Sequence, residues 1–349
     1  MSLAAVGPRG PGARVALALI GSHRFRGGLF LVTLALVLAV GLSFRLPDLE
    51  RPGRNYDEGV YLQSLLLMRH GYLPVRDIVA TQGPLHLYLA YAPYALGGYT
   101  LEAARLGAVG ASLLAIVGLA WAGAATIGRI GGVAAALALA LSPAFLNVSR
   151  QALPEAPALA FTILAVGAAG KAWTTDRDRW RIAAGALFAV ACLVKPIVAP
   201  AGLAVVTLGV TPRSWRASAL VPVVAMLVGL GALLGVGLGP ALDQVVGWRL
   251  QGEQVDPSLE TIRHNAELLV DRLVLEEQPA FYALALVGAL LLARSRLRFG
   301  LAVVGWFVGQ LGLLLLYVNL SSHLGVALLP PLALLLGAAA TAAWRAIAT

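Results

Sequence analysis

The chain has 349 residues, 59% hydrophobic and 12% charged, with a mean hydropathy of +0.82 and a formal net charge of +9. That composition excludes an ordinary soluble domain, and the lone Cys192 excludes a disulfide framework or a cysteine metal cluster. The basic residues sit at the ends of apolar runs and do not cluster with aromatics, which speaks for membrane orientation and against nucleic-acid binding.

Residues 1–27 carry Arg9, Arg14, Arg24 and Arg26 ahead of an apolar run, an arrangement shared with signal peptides. The run from Gly28 to Phe44 is longer than a signal-peptide core, so it is expected to be an uncleaved first span behind a cytoplasmic basic N-terminus. Apolar runs of roughly twenty residues recur along the chain, each long enough to cross ~30 Å of hydrocarbon. Backbone groups must pair internally there, and these continuous Ala/Leu/Gly-rich runs do not alternate as barrel strands do. The expectation is an all-α polytopic membrane domain over residues 28–345. Its ten spans fall near 28–46, 101–127, 130–148, 153–173, 181–194, 197–211, 217–239, 280–293, 299–318 and 324–344. The short segment PLHLYLAYAPYALGG, Pro84 to Gly98, carries His86 and Pro93 and is expected to be a juxtamembrane helix at the outer interface.

Charge gives this topology a test. With both termini cytoplasmic, the inner segments hold 15 of the 26 basic residues and two of the 17 acids, Asp176 and Asp178. Inner and outer sides then carry +13 and −4, and the short loops 171–181, 213–216 and 294–298 are basic as cytoplasmic loops should be. Two polar regions fall outside, within the outer loops 47–100 and 240–279. In the second, Leu259, Ile262, Ala266, Leu269, Val270 and Leu273 are spaced as in an amphipathic helix lying on the membrane. The Arg-, Ala- and Gly-rich, Lys-poor usage suggests a GC-rich bacterial genome, and so a bacterial inner membrane, while the two polar outer loops put the expected active site on the extracytoplasmic side.

The first outer loop begins NYDEGVYLQSLLLMRHG, Asn55 to Gly71. Asn55 can cap a helix, and Glu58 three residues on completes a capping-box pattern. Asp57 reads either as a first-turn acid favoured by the helix dipole or as a carboxylate at headgroup depth that takes a proton from a hydroxyl. Spacing alone leaves both open.

The stretch from Tyr56 to about Ala115 resembles the first outer loop of GT-C membrane glycosyltransferases, nearest to the dolichyl-phosphate-mannose protein mannosyltransferase and aminoarabinose transferase group. The resemblance rests on Asp57-Glu58, Tyr61, Gly71, Asp77, Pro84-Leu85, Tyr88, Gly97 and Ala104-Arg105-Leu106 in order. Later landmarks are Pro154-Glu155, the Lys195 turn in CLVKPIVAP, and SSHLGVALLPPLALLLG before the last span. It implies a GT-C bundle and a polyprenyl-phosphate-linked sugar donor, with a hydroxyl-bearing glycan, lipid or protein as acceptor. It places Asp57 as general base of an inverting transfer. Lys195, Arg105 and His323 are the candidates for the donor phosphate. Glu58, Tyr61, Asp77, Gln82, His86, Tyr88 and Glu155 are candidates for substrate contact. Gln82-Gly83 stand where some aminoarabinose-transferring relatives carry an acidic–basic pair, so a divalent metal stays open without a clear ligand cluster to support it, and no other cofactor is implied.

Lys195 stands out on composition too, being one of two lysines among 26 basic residues. It reads either as a snorkelling anchor or as a compact ammonium holding a lipid phosphate. Two other functions remain open: a glycolipid transporter or flippase, and a non-catalytic lipid-binding assembly subunit. Ionisable residues at span ends, with span centres nearly free of charge, favour chemistry at one face over passage through the middle.

Overall fold

The computed structural model describes residues 23–348 apart from 52, 54, 81, 248–254, 276–278 and 319. The basic residues Arg9 and Arg14, and Arg249, Glu253, Glu276 and Glu277 of the second outer loop, lie outside the described residues. The described chain is helical, and its only β-type pairs are two isolated bridges, Pro74 with Ile78 and Val255 with Tyr317.

Helix α1, His23–Ser43, is the first apolar segment. The first polar region then folds as α2, Tyr56–Arg69, and α3, Leu85–Leu96. The bundle continues with α4, Leu101–Thr126, α5, Arg129–Leu141, α6, Pro143–Ser149, α7, Glu155–Thr175, and α8, Asp178–Val194. A 3₁₀ segment, Pro196–Ala201, leads into α9, Gly202–Gly209. Next come α10, Trp215–Val236, the short α11, Leu238–Leu242, and α12, Leu259–Leu269. The chain ends in α13, Pro279–Ser295, α14, Leu297–Leu315, a 3₁₀ turn, Ser322–Leu328, and α15, Leu329–Ala348.

This is a polytopic helical membrane protein. Five helical segments among the described residues are long and apolar enough to cross a membrane, or six if α5 and α6 count as one. The expected count of ten is not confirmed by these lengths: Gly27–Ser43, Pro196–Gly209 and Pro279–Ser295 are apolar helices but shorter. The segment expected as one span over 130–148 is two helices meeting at 67°. Ser142 and Pro143 cause that break: Ser142 turns extended and accepts from Phe145 N–H at 3.2 Å, and Pro143 starts the new helix, where its missing N–H costs nothing. Helix α3 has 12 residues, about 18 Å of rise, too short to span, as a juxtamembrane segment should be.

The core is built on small residues. A Cβ at Gly123 of α4 would meet Gly132 Cα of α5 at 2.5 Å, so the two backbones approach as closely as only glycine allows. Helix α7 is the most enclosed of the central helices, with Ala156, Ala158, Ala160, Ala165, Ala168 and Ala169 fully covered. Arginines close several helix C-termini, where carbonyls lack partners. Arg45 Nη1 donates to Ala140 O at 3.1 Å, Arg298 Nε to Thr207 O at 2.9 Å, and Arg181 Nε to Gly209 O at 2.9 Å. Arg181 is buried and also pairs with Asp176 and Asp178, so the two acids counted with the inner charges bind an arginine of that same set.

The two polar regions, expected on the outer side, lock together. Gln244 accepts from Ala80 N–H at 2.9 Å and donates to Val75 O at 2.7 Å, tying the chain after α11 to the loop between α2 and α3. Helix α12 is amphipathic as expected, and Asn265 anchors it by donating to the carbonyls of Leu314, Leu315 and Tyr317 at 2.9–3.2 Å, which closes the end of α14.

Candidate active site

Four chain segments bring one ionisable group each to one place. Asp57 stands in the first turn of α2, where Asn55 caps the helix by accepting from Asp57 N–H at 2.9 Å and Glu58 N–H at 3.4 Å. Glu155 is the first residue of α7, between Pro154 and Pro157, and its carboxylate faces the positive end of that helix. Lys195 ends α8 in an extended conformation because Pro196 follows it, and the negative end of α8 favours its ammonium. His323 lies in the 3₁₀ turn before α15.

Their geometry is a chain. Lys195 Nζ donates to Glu155 Oε1, with both side chains at most 4% exposed. His323 Nε2 lies 3.4 Å from the same Oε1 and 3.3 Å from Asp57 Oδ2. Exposure rises along the chain, from 3% at Glu155 to 13% at His323 and 42% at Asp57. Glu155 Oε2 is buried without a hydrogen-bond partner among the described residues. One end of the chain is therefore a buried ion pair and the other a carboxylate open to solvent or substrate.

Glu58 points elsewhere. Its carboxylate takes a two-pronged pair from Arg105, Nε to Oε1 at 2.7 Å and Nη2 to Oε2 at 2.6 Å, and Oε1 also accepts from Ala152 N–H at 2.8 Å. Arg105 Nη1 donates to Leu49 O and Arg51 O at 2.8 and 2.6 Å. Asn55 caps as expected, but Glu58 does not return to the Asn55 N–H as a capping box requires, because the guanidinium fork offers it two charge-assisted bonds. All three nitrogens of Arg105 are taken up by protein acceptors.

The remaining sequence candidates divide. His86 is buried with neither ring nitrogen hydrogen-bonded among the described residues, stacks edge-on against Tyr61 at 4.6 Å, and lines an apolar cavity of about 160 Å³ between α3, α4 and α7. Burial pushes its imidazole down to about 3, so it is neutral. Tyr61 is one turn beyond Asp57 on α2, so the Tyr61–His86 pair adjoins the centre. Tyr88, two residues beyond His86, is 38% exposed. Asp77 organises its own loop: hydrogen bonds from Arg76 and from Leu73 N–H hold its carboxyl below the usual range. Gln82 is half-buried just before Gly83, whose N–H donates to Val194 O at 3.2 Å.

Gly83, in the sequence merely half of a missing acidic–basic pair, has a task in the structure. A Cβ there would fall 1.8 Å from Leu193 O, so the loop crosses the end of α8 beside Lys195 where only glycine fits. Beneath this crossing lies an apolar cavity of about 310 Å³ walled by α8, α10 and α11. Among the described residues, no three His, Cys, Asp or Glu side chains are grouped to hold a metal ion.

Residues 81–237 match the family model described as dolichyl-phosphate-mannose-protein mannosyltransferase. The crystal structure of ArnT from Cupriavidus metallidurans bound to undecaprenyl phosphate is 20% identical, with a TM-score of 0.69 over 89% of this chain and 60% of that one. The chain has the GT-C fold. Archaeal oligosaccharyltransferase AglB from Archaeoglobus fulgidus, in complex with an inhibitory peptide and a dolichol-phosphate, shares that GT-C architecture at 13% identity. Its TM-score is 0.59 over 93% of this chain and 52% of that one. The chain thus spans about half to 60% of the length of the GT-C structures it matches. No curated protein matches its sequence.

Proposed function

We propose that the chain is a glycosyltransferase that moves a sugar from a polyprenyl-phosphate donor to a hydroxyl acceptor at the extracytoplasmic face, with inversion. The observation that carries this reading is the chain Asp57–His323–Glu155–Lys195: an open carboxylate at one end and a buried ammonium at the other. Asp57 takes the proton of the acceptor hydroxyl as its oxygen attacks the anomeric carbon. The bond from that carbon to the phosphate oxygen breaks on the opposite side, and the polyprenyl phosphate leaves with the electron pair. Lys195 stabilises the charge that grows on the phosphate. ArnT with its undecaprenyl phosphate and AglB with its dolichol-phosphate support a lipid-phosphate donor. The apolar cavity beside Lys195 suits the first units of a prenyl chain. Arg105, engaged by Glu58 and two carbonyls, is left out of phosphate binding.

The test is mass spectrometry of cell-envelope glycans from cells lacking the gene, complemented with the wild-type chain or with Asp57→Asn. The wild-type chain restores a sugar modification and Asp57→Asn, inserted at equal level, does not. Full restoration by Asp57→Asn ends the general-base assignment.

A further inference from the structure

His323 was expected at the donor phosphate, but the structure turns its imidazole toward two carboxylates. Nε2 lies 3.3 Å from Asp57 Oδ2 and 3.4 Å from Glu155 Oε1. A ring nitrogen between two carboxylate oxygens has to carry the proton, since a lone pair there would be repelled from both sides. Asp57 is otherwise lightly held. Its side chain is 42% exposed, and Oδ1 has no protein partner among the described residues.

We propose that His323 is a positioning residue for Asp57: it holds Oδ2, ties it through Glu155 to Lys195, and leaves Oδ1 turned to the acceptor hydroxyl. The inference rests on the glycosyltransfer reading for its consequence, though the pairing itself does not. A first-turn carboxylate on an exposed helix end samples several rotamers, and holding one oxygen removes most of that freedom. The charged groups facing His323 are Asp57 from α2, Glu155 from α7 and Lys195 from the end of α8. With the imidazole neutral these groups sum to one negative charge, and with it protonated they sum to zero. The second proton, on Nδ1, strengthens the hold of the ring on Asp57, and its loss at higher pH weakens that hold while Nε2 keeps its own proton.

The experiment has two arms on the full chain in lipid nanodiscs. In the first, the histidines carry ¹⁵N, the His323 signal is assigned by its loss in His323→Gln, and its titration is followed in wild type and Asp57→Asn. Removing a carboxylate at this range lowers the His323 midpoint by about one pH unit, whereas an unchanged midpoint overturns the pairing whether or not the protein transfers sugar. The second arm measures transfer from undecaprenyl-phosphate-linked sugars to isolated envelope membranes. His323→Ala lowers kcat by roughly 10- to 100-fold, as when a group orienting a reacting residue is lost, with little change in donor KM. His323→Gln, which can still donate to Oδ2, recovers much of the rate but flattens the pH profile between about 5 and 8. A raised donor KM at unchanged kcat overturns the proposal in favour of phosphate binding. A shifted midpoint in a chain that transfers nothing overturns the glycosyltransfer reading and, with it, the catalytic use of the pair.

Discussion

Glu58 and Arg105 meet through two parallel hydrogen bonds of 2.7 and 2.6 Å, each side chain 4% exposed. The clamp joins the start of α2 to the start of α4, and through Ala152 and Leu49 it gathers two more segments. Breaking one side of a buried pair leaves a charge stranded, at a cost of about 3–5 kcal/mol. Glu58→Gln and Arg105→Met are expected to lower the unfolding midpoint in detergent sharply. Arg105→Lys also falls well short, because an ammonium cannot span both carboxylate oxygens and two carbonyls. Thermal unfolding followed by tryptophan fluorescence checks all three, and a midpoint unchanged in Arg105→Met removes the clamp from the account.

Lys195 and Glu155 separate stability from transfer. Lys195→Met strands a buried carboxylate and destabilises by several kcal/mol, whereas Lys195→Met with Glu155→Gln removes both charges and recovers most of the loss. Neither form transfers sugar if Lys195 holds the departing phosphate. Unfolding midpoints and binding of undecaprenyl phosphate to the purified chain read the two effects apart. A double variant that is stable and fully active removes Lys195 from the chemistry.

Gly83→Ala puts a methyl group into the Leu193 carbonyl and pushes the loop off the end of α8. The expected outcome is a lowered unfolding midpoint together with weaker undecaprenyl phosphate binding, since Lys195 follows directly. Gly110→Ala, on α4 with nothing within 4 Å of the added atom, is the control and leaves both unchanged.

Asp256 gives a pH test outside the membrane. Hydrogen bonds from the Thr261 hydroxyl, the Ser258 hydroxyl and Ser258 N–H hold its carboxyl below the usual range. A carboxyl lowered in the folded state contributes stability above its unfolded value of about 4, and that contribution is lost as pH falls through the folded value. The wild-type unfolding midpoint therefore drops more steeply on acidification below about pH 4 than that of Asp256→Asn. Parallel curves contradict the assignment.

Much of the fold was legible because apolar run length is a direct physical constraint in a bilayer. That 84–98 holds a helix too short to span followed from its length, and the cap at Asn55 from its residue type. The break at Ser142-Pro143 was legible in principle, being a capping residue followed by proline, but the apolar residues on both sides masked it. Asp57, Glu155, Lys195 and His323 each stand out through the family resemblance, Lys195 through composition as well, yet nothing in the sequence says that they touch. Pairing is a property of helix ends brought together by packing, and one residue type reads the same whether it is paired or solvated. Glu58 shows the limit most clearly. Its spacing from Asn55 suits a capping box, and only the three-dimensional neighbour Arg105 redirects it.

The four members of the candidate centre come from α2, α7, the end of α8 and the turn before α15, so the first and last lie near opposite ends of the described chain. During synthesis Asp57 is made early and His323 late. Until α15 has entered the bilayer, Asp57 stands without its imidazole and Glu155 without half of its company. The cluster is thus incomplete while the chain is being built, and all four groups meet only after the last helix has packed against the earlier ones.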